Sequence, residues 1–240
     1  MLQFILEFQL EKPQMPLEFD RLMVSFLKGA SRNYSEDMFE RLYDKSKSVI
    51  KTYTYSMYLP GARFMKETVE LSENRFRMFF SDADMGQMVH WFNAFNLFRF
   101  KTYPMNNNSM KLVSIRTQNR KEIEDSEIVV RMQSPLIARR HNAEDNKDTY
   151  YTYDNAEFSD VLRENAQTFL DKLNINISTE GFQVIPVKGR KVVTNCFGRK
   201  VDGNIGIYKI CGCPELLNVM YQAGSGVRRS EGHGKWEIIM

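Results

Sequence analysis

The stretch MLQFILEFQLEKPQMPLEFDRLMVSFL, residues 1–27, changes its hydrophobic period halfway along, and this change indicates the fold. At 2–10 every second residue is apolar, with mostly polar residues between, which is typical of a half-buried strand. At 19–27 the apolar residues recur at the spacing of one helix face, at Phe19, Leu22, Met23, Phe26 and Leu27. The stretch therefore predicts a strand followed by an amphipathic helix.

The rest of the N-terminal half continues to alternate strands and helices. Ser35 is a helix-start signal, because its hydroxyl can accept a hydrogen bond from a first-turn amide, and a short second helix is predicted after it. The elements predicted next are strands at 50–58 and 75–80, a helix at 82–98 and a strand at 110–117. The residues predicted to share one face of the 82–98 helix are Met85, Met88, Val89, Phe92 and Asn96. This order of elements is that of a ferredoxin-like domain.

The charged run QNRKEIED, residues 119–126, separates this half from a second half with the same order of elements. The elements predicted there are a strand at 127–133, a polar loop at 139–154, a helix at 155–173, a strand at 182–187, a hairpin at 190–211, a helix from Pro214 and a strand at 235–240. Proline suits a helix start because the amide there has no partner within the helix. We therefore predict an α+β fold of two tandem ferredoxin-like domains, the topology of RNA recognition motifs, at residues 1–122 and 123–240.

Composition excludes several classes of protein. No apolar run approaches the roughly 18 residues of a membrane span, and the acids within the N-terminal apolar run indicate a strand rather than a signal peptide. The three cysteines, Cys196, Cys211 and Cys213, form neither a disulfide framework nor the paired ligands of a zinc site. We predict a cytoplasmic protein that contacts no membrane and uses no metal or cofactor.

Positive charge is concentrated in the last quarter of the chain. Residues 181–240 carry nine Lys or Arg residues and four acids, whereas the whole chain has a formal net charge of only +3. This asymmetry indicates an anionic partner that is contacted from one side.

The stretch GSGVRRSEGHGKWEIIM, residues 224–240, combines four glycines with two adjacent arginines. In a dinucleotide site a helix follows the glycines, whereas here a strand is predicted to follow them, and no P-loop motif is present. The stretch is predicted to be a flexible loop that binds phosphate through bare backbone amides and through the guanidinium groups of Arg228 and Arg229. A turn with two solvated arginines is the alternative.

This loop resembles the C-terminal glycine-rich motif of the RAMP superfamily. It resembles more closely the loop of the CRISPR-associated endoribonucleases that cut the repeat RNA of precursor CRISPR transcripts, with His233 in a slot that is usually aromatic. The positions that fit the motif are Gly224, Gly226, Arg228, Arg229, Gly232 and Gly234.

Further stretches resemble the same family in order and spacing, and they extend the resemblance over nearly the whole chain. They are Leu42-Tyr43-Asp44, Thr54-Tyr55-Ser56, Gln133-Ser134-Pro135, and residues 154–172, 187–191 and 198–200. The tandem ferredoxin-like fold that the family implies agrees with the order of elements above.

The resemblance implies metal-independent cleavage, in which the ribose 2′-hydroxyl attacks the adjacent phosphorus and leaves a 2′,3′-cyclic phosphate and a 5′-hydroxyl. Such a reaction needs a base, a donor for the leaving oxygen and positive charge. Tyr43 stands where the family often has histidine, and a phenol is a poor base at neutral pH. Lys51 matches the assisting lysine of the family, and Lys45 and Lys47 lie nearby in the sequence. The expected catalytic residues are Lys51, Tyr43, Lys47 and His233.

The resemblance also implies contacts with CRISPR repeat RNA. Besides the glycine loop, the residues expected to bind RNA are Lys188, Arg190, Lys191, Arg199 and Lys200 of the hairpin and Arg139 and Arg140 of the polar loop. His141 is expected to contact RNA or solvent rather than to catalyse, and His90 is expected to be a surface residue. Other subunits of a CRISPR effector complex and a second copy of the chain are further candidate partners.

Two other functions stay open at the level of the sequence. A non-cleaving member of the family, which holds repeat RNA in an effector complex, fits the absence of the usual histidine. A tandem RNA-recognition-motif protein shares the topology, but the Lys/Arg-Gly-Phe/Tyr pattern that marks its stacking aromatics is not found.

Overall fold

The computed structural model describes residues 1–44, 46 and 49–240, and its first half is built on a five-stranded antiparallel sheet. The elements of this half are β1 (Leu2–Leu10), β2 (Gln14–Pro16), α1 (Phe19–Tyr34), α2 (Glu36–Tyr43), β3 (Tyr53–Tyr58), β4 (Arg63–Phe64), β5 (Thr68–Glu70), β6 (Arg75–Asp82), α3 (Met85–Phe98), β7 (Thr102–Met105) and β8 (Asn108–Asn119). The strand order is β3-β6-β1-β8-β7, with a small separate sheet of β2, β5 and β4. Without the edge strand β7, this is the predicted ferredoxin-like order.

Aromatic side chains fill the core of the first half. Phe8 of β1 stacks on Phe76 of β6 with 4.7 Å between ring centroids, and Phe26 of α1 meets Phe8 edge to face at 5.0 Å. The alternation predicted for residues 2–10 is confirmed, because Phe4 and every second residue after it are buried. The sheet therefore has one face against its helices.

The second half repeats the arrangement on a four-stranded antiparallel sheet. Its elements are β9 (Glu127–Met132), β10 (Ala138–Asn142), β11 (Lys147–Tyr151), α4 (Phe158–Lys172), β12 (Gln183–Cys196), β13 (Arg199–Cys211), α5 (Pro214–Ala223), a 3₁₀ turn (Arg229–Glu231) and β14 (Trp236–Ile238). The order is β12-β13-β9-β14, again ferredoxin-like, so the predicted tandem fold is confirmed. Among the described residues, no helix combines the length and the apolar character that crossing a membrane requires.

The inner face predicted for α3 is wrong, because only one of the five residues predicted to lie on it is buried. Met88 is buried as expected, but the face that packs inward also carries Trp91 and Phe95, whereas Val89 is 59 % exposed and Phe92 is 40 % exposed. Both sides of this helix are apolar, so the hydrophobic period does not identify the inner one. The larger aromatic side chains take the core, because they remove more apolar area from water.

The segment predicted as a polar loop at 139–154 is instead largely the antiparallel hairpin β10–β11. Its side chains pair with each other across the hairpin, as Arg139 does with Asp148 at 3.1 Å. The alternation of buried and exposed side chains that is typical of a strand is therefore missing. Cross-strand ion pairs and the Thr-Tyr-Tyr run at 149–151 stabilise this sheet instead.

The two halves are joined by buried polar groups at the glycine loop. Thr54 of β3 donates a hydrogen bond to the backbone carbonyl of His233 (3.1 Å), and Nζ of Lys235 donates to the hydroxyl of Ser81 (2.6 Å). Burial lowers the pKa of Lys235 far below its ordinary value, and Arg120 adds repulsion in the same direction. Residues 224–235 thus form part of the contact between the halves.

Candidate functional site

A polar cleft of about 730 Å³ lies where α4 and β10 meet the glycine loop and the segment before β3. We call it the basic cleft, because most of its charged side chains are cationic. Its basic side chains are Lys51, Arg139, Arg140, Lys172, Arg228 and Arg229, its acidic ones are Glu164 and Glu231, and His141 also lines it. Gly226 lines it as well, so six residues predicted from the sequence to act on RNA or bind it are brought together by the fold.

The glycine loop is packed between its neighbours, and the prediction of a flexible loop with bare amides is wrong for most of its donors. The amide of Ser225 donates to the carbonyl of Gly234 (2.8 Å), and the amides of Val227 and Gly234 donate to carbonyls of the segment at 135–137. Gly226 and Gly234 have positive φ values of 75° and 71°, and a Cβ atom at either would overlap a backbone carbonyl oxygen. These glycines allow close approach of two backbone segments.

The arginines of the loop do face the basic cleft. Arg228 has a left-handed backbone (φ 57°) and donates to the carboxylate of Glu231 at 2.9 Å. The guanidinium of Arg229 lies over the ring of Phe169, 3.6 Å from its centroid. Burial lowers the pKa of Arg229, but a guanidinium still carries its charge at neutral pH.

Carboxylates offset part of this positive charge. The arginine pairs are Arg139–Asp148 (3.1 Å), Arg140–Glu164 (2.6 Å) and Arg228–Glu231 (2.9 Å). The buried Nε atoms of Arg139 and Arg228 nevertheless have no hydrogen-bond partner within the described part of the chain. Each of these side chains therefore has a buried donor without such a partner, which costs stability.

Lys51 lies at the edge of the basic cleft beside the ring of Tyr43. Its Nζ is 5.1 Å from the ring centroid, and the Nζ of Lys28 on α1 is 5.3 Å from the same ring. The pKa of Lys51 is lowered, first by burial and then by repulsion from Lys28, although Glu231 acts in the opposite direction. Lys28 was missed from the sequence, because it is one of several exposed basic residues on an amphipathic helix and gives no local signal.

The surroundings of Tyr43 do not allow its hydroxyl to act as a base. Its hydroxyl shares a hydrogen bond of 2.8 Å with the hydroxyl of Tyr53, and burial raises the pKa of Tyr43 well above the ordinary value for a phenol. Its ring instead supports two ammonium groups. Lys47, and Lys45 beside it, lie outside the described residues.

His233 lines a different cleft, which is mostly apolar and has a volume of about 770 Å³. The side chain is 1 % exposed, with Nε2 3.2 Å from the sulfur of Cys196 and 3.9 Å from a carboxylate oxygen of Asp20. Burial, with repulsion from Arg228, lowers the pKa of His233 to about 4, whereas burial and Glu231 raise that of Asp20 to about 8. Both side chains are therefore neutral at pH 7, and His233 and Lys51 line different clefts.

The basic residues of the long hairpin are placed away from the basic cleft. Lys200 lines the apolar cleft, and Lys191 forms an ion pair with Asp202 at 2.8 Å. All five predicted contacts, Lys188, Arg190, Lys191, Arg199 and Lys200, are exposed. Their part in RNA binding stays a prediction.

Comparison with known proteins identifies a family model that matches residues 118–238, described as CRISPR associated protein Cas6, C-terminal. This match spans just over half of the chain. A comparison with curated protein sequences found no match.

Several solved structures share the fold over the whole chain. The product of a Cas6-related gene from Pyrococcus furiosus has a TM-score of 0.85 at 13 % identity, covering 99 % of this chain and 98 % of that one. A RAMP protein described as binding different RNA substrates has a TM-score of 0.83 at 15 % identity, covering 100 % of both chains. A Cas6 product complex has a TM-score of 0.70 at 14 % identity, covering 99 % of both chains.

Proposed function

The chain belongs to the Cas6 family of CRISPR-associated proteins, and from this we propose that it is a metal-independent endoribonuclease that binds CRISPR repeat RNA and cuts precursor CRISPR transcripts. The observation that supports the proposal most is the basic cleft, because it collects Lys51 and four arginines around a space that an RNA backbone can enter. Phosphate groups are bound by such clusters through charge-assisted hydrogen bonds.

The reaction proposed is attack of a ribose 2′-hydroxyl on the adjacent phosphorus, which leaves a 2′,3′-cyclic phosphate and a 5′-hydroxyl. Arg228 and Arg229 supply positive charge to the phosphorane that develops. Lys51 stands beside them as the donor for the leaving oxygen, a role that its lowered pKa favours because the ammonium gives up its proton more readily. Tyr43 positions Lys51 through its ring.

A cleavage assay without metal tests the proposal. Labelled RNA is transcribed from the repeats that neighbour the gene on the genome and is incubated with the protein and EDTA. We expect a product that ends in a cyclic phosphate, and we expect Lys51→Ala to slow its formation by about 100-fold or more. Lys101→Ala is the matched control, since Lys101 lies on the surface and bonds to Asn33. Equal cleavage rates for the two variants would show that Lys51 takes no part in the reaction.

A non-cleaving protein that holds repeat RNA is the second candidate. It is favoured by one observation, the burial of both Tyr43 and His233, which leaves neither of these predicted residues free to act as a base. Intact RNA that is bound tightly in the same assay would select this function.

A further inference from the structure

His141 is a histidine of the basic cleft that the reaction proposed above does not yet use. It lies on β10, its side chain is 46 % exposed, and it lines the cleft together with Lys51 and the arginines of the glycine loop. The other two histidines are placed elsewhere. His90 of α3 shares a hydrogen bond with the hydroxyl of Tyr34 at 3.2 Å, and His233 is buried in the apolar cleft.

The imidazole of His141 is oriented by a carboxylate. Its Nδ1 lies 2.9 Å from Oδ1 of Asp148 on the neighbouring strand β11, and no described residue pairs with its Nε2. A proton on Nδ1, donated to the carboxylate, leaves the lone pair of Nε2 toward solvent. A histidine held in this way by an aspartate is the arrangement that acts as a base in unrelated enzymes.

Asp148 is itself held in place. Its second oxygen accepts a hydrogen bond from Arg139 (3.1 Å) and one from the hydroxyl of Tyr150 (3.4 Å). Partial burial alone would raise the pKa of Asp148, but the bonds from His141 and Arg139 lower it below the ordinary value. The carboxylate is therefore ionised at neutral pH and keeps His141 in one tautomer and one direction.

On the basis of the proposed ribonuclease activity, we propose that His141, oriented by Asp148, is the general base of the reaction. Nε2 of His141 takes the proton of the 2′-hydroxyl as the 2′-oxygen forms its bond to phosphorus. The bond from phosphorus to the 5′-oxygen breaks, and that oxygen receives a proton from the ammonium of Lys51. Both residues return to their first protonation states by exchange with water.

The charged groups around His141 come from every element of the cleft. On its own hairpin, Arg139 is bound to Asp148, and Lys147 pairs with Asp145 at 3.2 Å. From α4, Glu164 faces Arg140, and Lys172 also lines the cleft. The basic residues that remain are Lys51, before β3, and Arg228 and Arg229 on the loop, with Glu231 beside them. This mostly cationic surrounding favours an RNA phosphate next to His141.

The test compares single-turnover cleavage by the wild-type protein, His141→Ala, Asp148→Asn and His90→Ala across pH. We expect His141→Ala to lose at least 100-fold in rate, to lose the acid limb of the pH–rate profile, and to recover rate when free imidazole is added. We expect Asp148→Asn to lose about tenfold or more and to keep the acid limb, because its histidine is still present but poorly oriented. His90→Ala is expected to keep the wild-type rate.

Binding is measured separately with the same RNA carrying a 2′-deoxy nucleotide at the cleavage site. We expect the wild-type protein, His141→Ala and His90→Ala to bind it alike, and Asp148→Asn to bind it no more weakly, because its substitution removes the carboxylate paired with Arg139. A His141→Ala variant that cuts at the wild-type rate, or that loses rate only through weaker binding, overturns the assignment of the base and leaves the proposed activity standing. A wild-type protein that binds the RNA without cutting it overturns both.

Discussion

Replacement of Glu164 by glutamine is expected to strengthen RNA binding. Oε1 of Glu164 accepts a hydrogen bond from Nη2 of Arg140 at 2.6 Å, and Oε2 accepts one from Nε at 2.9 Å. One whole edge of the guanidinium is therefore engaged by a carboxylate at the rim of the basic cleft. A phosphate that binds Arg140 must displace this carboxylate or lie next to it.

The size of the effect follows from two terms. The ion pair is about half exposed on both sides, and such pairs contribute about 0–1 kcal/mol. A phosphate on another edge of the same guanidinium lies roughly 5 Å from the carboxylate and is repelled by about 0.8 kcal/mol in water. Removing the negative charge therefore lowers the free energy of binding by about 1 kcal/mol, which is roughly a fivefold decrease in Kd.

The assay is fluorescence anisotropy with the labelled 2′-deoxy RNA over a series of salt concentrations. A newly available phosphate contact also makes the plot of log K against log salt steeper by about 0.7 for a single strand. Asp160→Asn is the matched control, because Asp160 is an exposed acid of the same helix, is paired with Arg163 at 3.4 Å, and does not line the cleft. If Glu164→Gln binds no better than Asp160→Asn, Arg140 does not contact RNA.

Three further predictions concern stability and pH. Burial raises the pKa of Asp20 to about 8 from 3.8, so the wild-type protein loses stability as pH rises between these values. The free energy of unfolding of Asp20→Asn should therefore rise relative to that of the wild type by up to about 1.4 kcal/mol per pH unit from pH 5 to 8. Denaturant titrations measure this difference, and a difference that stays constant with pH would contradict the prediction. Gly226→Ala should cost about 3 kcal/mol or more in the same titrations, because its Cβ would overlap a carbonyl oxygen, whereas Gly181→Ala, at φ 71° with open space around it, should cost about 1 kcal/mol. Lys28→Gln removes repulsion that lowers the pKa of Lys51, so Lys51 should keep its proton to higher pH. The alkaline limb of the pH–rate profile of RNA cleavage should then move to higher pH. An unchanged limb would show that Lys51 is not the proton donor.

Local signals in the sequence predict the fold where a single contact decides the outcome. The hydroxyl of Ser35 accepts a hydrogen bond from the amide of Met38 at 3.3 Å. Pro214 occupies the first turn of α5, and Gly224 ends that helix with a positive φ of 81°. These features depend on a few neighbouring residues, and so the order of elements, and with it the ferredoxin-like topology, follows from them.

Predictions fail where the outcome depends on which of two surfaces meets a partner. α3 is apolar on both sides, and the packing of Trp91 and Phe95 against Phe80 of β6 selects the inner face. The glycine motif likewise indicates a loop with unusual backbone angles, but not whether its amides face solvent or a neighbouring segment. The answer lies at residues 135–137, about ninety positions away in the chain, where those amides find their acceptors.

The position of the candidate site could not be predicted from the sequence either, because its residues meet only in the folded chain. Lys51, Arg139 and Arg228 come from three distant segments and meet in one cleft. The basic residues of the long hairpin look equally suitable in the sequence, but they do not line this cleft. Charge density identifies an anionic partner but not the surface that it contacts. Lys28 could be found only from its distance to the ring of Tyr43.

The tyrosine at position 43 does not by itself decide between a cleaving and a non-cleaving protein, because the reaction needs its base to converge on the phosphate in space and not to come from a given segment. The contacts of Thr54 with the backbone of His233 and of Lys235 with Ser81 fix the second half against the first. They hold the cleft in which β10, with His141, faces the segment that carries Lys51. A base from the second half can therefore act with an acid from the first, and the substitution at one position of the family pattern is compatible with an active enzyme.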